Sequence, residues 1–114
     1  MIKIIIFKDR KGYIEGYKVS GHADYDIKGK DIVCAAVSVL AQTTLISLVE
    51  VCNVPEKKID YSIDDKGFLN VTLPNTLDIS TRMKTEIVLK TFEIGIKSIL
   101  ESYSEYITLK YREV

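Results

Sequence analysis

Histidine and cysteine are scarce in this 114-residue chain, and the scarcity narrows its chemistry. One histidine and two cysteines cannot assemble a usual zinc site, so neither a metal nor another cofactor is expected. Neither a glycine-rich phosphate loop nor a G-x-S-x-G elbow is present. Only two prolines and six glycines occur, which leaves little room for linker. With 46% of residues hydrophobic, the composition excludes a disordered chain. Charge of one sign is also missing. Sixteen basic residues balance sixteen acidic ones, whereas a domain that holds nucleic acid electrostatically normally shows a basic excess. No direct nucleic-acid partner is therefore expected, a local patch aside. Weak self-repulsion leaves self-association open.

The opening stretch, residues 1–8, is too short for the apolar core and cleavage site of a signal peptide. Residues 32–54 are long and apolar enough to span a bilayer. They nevertheless include Ser38, Gln42, Thr43, Thr44, Ser47 and Glu50, and read as a buried helix. A cytoplasmic protein with no membrane partner is the expectation, and its thiols are expected to be reduced.

The length fits one domain over residues 1–114. Residues 2–8 and 13–20 read as a hairpin about the turn residues Asp9, Arg10, Lys11 and Gly12. Residues 21–30 have no period and contain two glycines, and read as a loop. Asp31, an N-cap residue type, stands before a helical run that Pro55 stops. So many of its positions are apolar that the sheet must cover one side, and the second helix or another subunit a further one. Alternation at Ile59, Tyr61, Ile63 and at Leu69, Val71, Leu73 predicts a second hairpin. A helix over 77–103 and a strand over 107–111 follow. The order ββαββαβ, with one sheet face wetter than the other, predicts an α+β two-layer sandwich: a mixed or antiparallel sheet packed with two long helices on the same face.

Cys34 lies three residues after Asp31, inside the first turn of that helix. Unpaired amide hydrogens and the positive end of the helix dipole favour a thiolate there, and the thiolate is the nucleophile. Cys52 falls eighteen residues later, in the last turn, where the dipole opposes ionisation. About 27 Å of helical rise separates the two, too far for a disulfide. The alternative for each is a small buried hydrophobe. His22, the lone histidine, sits in the loop leading to Cys34 and is the one available imidazole base; its bland alternative is an exposed loop residue. Gly21 and Gly29 bracket the loop as hinges or as turn residues. Asp31 caps the helix and can orient His22. Ser38, one turn beyond Cys34, can bond within the site or back to the helix.

Gly21-His22-Ala23, Gly29 and Asp31-Ile32-Val33-Cys34-Ala35-Ala36-Val37-Ser38 resemble the bacterial ribosomal-processing cysteine protease family known as Prp. The resemblance spans essentially the whole chain. It implies Cys34 as nucleophile, His22 as general base and a cytoplasmic homodimer. The implied substrate is the N-terminal extension of large-subunit ribosomal protein twenty-seven. Two other functions fit the residues. One is a non-enzymatic ribosome-associated assembly or binding protein. The other is a redox sensor built on Cys34.

Overall fold

The computed structural model describes residues 1–21, 30–65 and 68–114. Among them run β1 (Ile2–Lys8), β2 (Ile14–Ser20), α1 (Lys30–Glu50), β3 (Asp60–Ile63), β4 (Leu69–Thr72), α2 (Ile79–Ser102) and β5 (Ile107–Glu113), with a 3-10 turn at Glu56–Lys58. The sheet order is β3-β4-β2-β1-β5. Every neighbouring pair is antiparallel except β1 and β5, which are parallel. This is the expected ββαββαβ order in a mixed sheet.

Strand alternation chooses the core. Ile2, Ile4 and Ile6 of β1 are buried, as are Tyr17 and Val19 of β2 and Leu69 and Val71 of β4. Asp9 shapes the first turn: its Oδ1 accepts from the amides of Lys11 (2.8 Å) and Tyr13 (3.0 Å). Tyr17 fixes the layering. Its ring centroid lies 4.4 Å from that of Phe92 on α2, and its hydroxyl donates to the Ala41 carbonyl of α1 at 2.7 Å. One side chain touches both helices, so both cover one sheet face and the other stays open. The helices themselves meet at Gly95, where a Cβ would stand 2.6 Å from Leu40.

Three expectations shift. First, α1 begins at Lys30, so Asp31 is already helical and does not precede the first turn as a cap must; its side chain lies outside the described residues. Second, α1 ends at Glu50, well before Pro55. Asn53 takes a positive φ of 60°, and the amides of Cys52 and Val54 turn back to the carbonyls of Ser47 and Leu48. Cys52 therefore sits in this closing turn, beyond the helix. Third, α2 starts at Ile79 because Asp78 caps it, its carboxylate accepting from the Thr81 amide at 2.7 Å.

Candidate active site

The apolar sequence around Cys34 splits α1 into a core face and an outer face. Val33, Val37, Ala41 and Leu48 are buried against the sheet, while Ile32, Ala35, Ala36 and Val39 are exposed. Cys34 lies between these faces, half-buried and packed against the core. It is the fifth residue of α1. Its amide thus falls within the N–H(i) to O=C(i−4) ladder, and the orphan amides of the helix start precede it. The dipole's influence fades over the first turn, so Cys34 stands at the inner limit of that field.

Cys52 is 1% exposed, and burial pushes its thiol above the ordinary range, with nearby Lys84 partly opposing the shift. It behaves as the small core hydrophobe that was its alternative reading. The two cysteines are not joined. Of the two, Cys34 is the less buried.

Gly21 ends β2 at a φ of +78°, and a Cβ there would stand 2.2 Å from the Met1 carbonyl oxygen. Backbone geometry is enough to require glycine at this position. His22 and Gly29 lie outside the described residues. Val19, three residues before His22, lines a small cleft of about 30 Å³ with Ser38, Gln42, Ile63 and Phe68. The end of β2 and the first half of α1 therefore share one wall, one turn beyond Cys34. Ser38 accepts from Gln42 Nε2 at 2.9 Å, a partner one further turn along. Sequence reasoning did not place Ile63 and Phe68 here, because the pairing of β4 with β2 that brings them leaves no local signal. The Ser38–Gln42 contact had the visible signature of an i, i+4 pair.

A cavity of about 750 Å³ lies at the opposite end of the sheet, against Phe7, Glu15 and Arg82. Among the described residues no three potential metal ligands gather.

Comparison with known proteins places the chain in a family. The profile described as cysteine protease Prp matches residues 1–108. The ribosomal processing cysteine protease Prp of Staphylococcus aureus is 26% identical over 113 residues, covering 98% of this chain and 100% of that protein. The crystal structure of a Streptococcus mutans protein matches with a TM-score of 0.85 and 26% identity, over 100% of this chain and 96% of the other. The Staphylococcus aureus protease with a covalently linked product peptide matches with a TM-score of 0.78 and 26% identity, over 98% and 100%.

Proposed function

This chain belongs to the cysteine protease Prp family, and from that premise we propose that it cleaves the N-terminal extension from large-subunit ribosomal protein twenty-seven with Cys34 and His22. The observation that carries the reading is the inequality of the cysteines. Cys34 is half-buried near the start of α1, one turn from a cleft lined by Val19 of β2, the strand that precedes His22 in sequence, while Cys52 is sealed in the core. A covalently linked product peptide on the Staphylococcus aureus relative supports covalent chemistry.

In this mechanism His22 takes the Sγ proton of Cys34, and the thiolate attacks the scissile carbonyl carbon to form a tetrahedral oxyanion. Amide hydrogens of the first turn of α1, ahead of Cys34, are suited to receive that charge. The C–N bond then breaks as His22 returns its proton to the departing amine, leaving a thioester. Water, giving a proton to His22, adds to the thioester. Collapse releases the carboxylate product and restores the thiol.

The protein works in the cytoplasm, where thiols stay reduced, and as a homodimer. The outer face of α1 supports the dimer: Ile32, Val39 and Ile46 recur every seven residues and are 61%, 66% and 59% exposed. No charged residue occurs between Ile32 and Val49.

The test incubates the protein with a peptide spanning the extension junction and follows products by mass spectrometry. Cys34→Ser is expected to abolish cleavage, and His22→Ala to slow it by about 10²- to 10⁴-fold. Undiminished cleavage by either variant overturns the role given to that residue.

A further inference from the structure

Strand register concentrates positive charge on the open face of the sheet, which the balance of charges over the whole chain conceals. One row across β4, β2, β1 and β5 reads Asn70, Lys18, Ile5, Lys110. The next reads Thr72, Gly16, Phe7, Arg112, and a third places Lys3 between Ser20 and Thr108. Their neighbours in sequence, including Ile4, Ile6, Tyr17 and Val71, are buried under the helices, so alternation turns these rows outward. Lys3, Lys110 and Arg112 are exposed, and Lys18 is half-buried. Asp60, on edge strand β3 opposite Thr72, is the one acid that the described register adds to these rows. Strands lie about 4.8 Å apart, so the backbones at Lys18 and Lys110 are separated by roughly 10 Å.

Aromatic rings are interleaved with the cations. Lys18 Nζ stands 5.4 Å from the Phe68 ring centroid, and the Arg112 guanidinium 6.0 Å from that of Phe7. Gly16, paired with Phe7, has no side chain to crowd the ring, and a Cβ there would stand 2.2 Å from the Val71 carbonyl oxygen. Beside Phe7 opens the cavity of about 750 Å³, where Asn70, Thr72 and Asn75 offer amide and hydroxyl groups. Its acids are engaged: Glu15 pairs with Arg82 at 2.9 Å, and Asp9 Oδ1 accepts from the amides of Lys11 and Tyr13.

We propose that this open face binds single-stranded RNA, with the phosphate backbone over Lys3, Lys18, Lys110 and Arg112 and a base lodged against Phe7. A cationic surface that tracks phosphates beside an aromatic ring that stacks a base is the chemistry that holds a flexible nucleic-acid strand. It does not depend on the protease reading, since none of these residues belongs to the Cys34 site.

The test is fluorescence anisotropy with a labelled mixed-sequence single-stranded RNA over a range of salt. Each phosphate contact contributes a slope of about −0.7 in log K against log salt, so four contacts give roughly −3. The double variant Lys110→Gln/Arg112→Gln lies on an exposed edge strand. It is expected to lower that slope's magnitude by about 1.4 and to weaken binding at least tenfold at low salt. Phe7→Leu is expected to weaken binding about tenfold with the slope retained. Melting curves and peptide cleavage, measured in parallel, are expected to match the parent for the double variant. No RNA binding at low salt, binding indifferent to both variants, or equal affinity for vesicles of anionic phospholipid overturns the proposal.

Discussion

Access and the stability of its anion govern a thiol's reactivity. Cys34 is half-buried, whereas Cys52 is sealed in the core with its ionisation disfavoured by burial. Limited treatment of the folded protein with iodoacetamide is expected to add one adduct, which peptide mapping places at Cys34. Modification of Cys52 is expected only after denaturant opens the core. Equal labelling of both sites in the native protein contradicts the burial described here. This asymmetry was legible in the sequence, though for a partly different reason. Helix position suggested it, and burial establishes it at Cys52, because the turn at Asn53 carries that residue off the helix. Asp31 was misread as the cap of a helix that already begins at Lys30. A cap is defined by its own non-helical backbone just before the first turn, and side-chain type does not reveal where the chain turns helical.

At the scale of elements, hairpin alternation and turn residues made β1 through β4 readable, though edge strand β3 is exposed at every position, so its alternation of Tyr61 and Ile63 does not mark a buried face. The start of α2 was placed two residues early because Leu77 continues the apolar pattern past the point where Asp78 caps the helix. That cap makes a pH prediction. The Thr81 amide holds the Asp78 carboxyl below its usual 3.8, so folding favours the carboxylate over the acid. Stability from the cap is therefore fully present above the unfolded value, near 4, and is lost as pH falls through the lower folded value. Asp78→Asn still accepts from Thr81 but does not titrate. Thermal melts are expected to show near-parental stability at pH 7 and a shallower decline below pH 4. A decline as steep as the parent's assigns the acid sensitivity to other carboxylates.

At the scale of the molecule, strand order was the least legible feature. The pairings of β2 with β4 and of β1 with β5 join distant segments, and neither leaves a trace in local periodicity. The same pairings sort the cations onto one face, which a sum over the chain cannot register. Exposed apolar side chains also mark the other layer, among them Ile32, Val39, Ile46, Ile87 and Ile94. There α1, about 31 Å long, runs beside α2. At a helix spacing of 8–10 Å the two present a slab of roughly 600 Å², close to the roughly 800 Å² per partner of a standard interface. In the proposed homodimer, a two-fold axis near Val39 would set two α1 helices antiparallel, bringing Ile32 of one protomer to Ile46 of its partner with the helix dipoles opposed. Because Val39 is 66% exposed, Val39→Glu disturbs no core contact yet places a charge, and its twin, on the axis. Light scattering is expected to report a dimer for the parent chain and a monomer for Val39→Glu, with the far-ultraviolet dichroism of the two unchanged. A parent that runs as a monomer, or a variant that stays dimeric, removes α1 as the dimer surface. A parent recovered on uncharged phospholipid vesicles and not as a dimer gives that face to a bilayer instead.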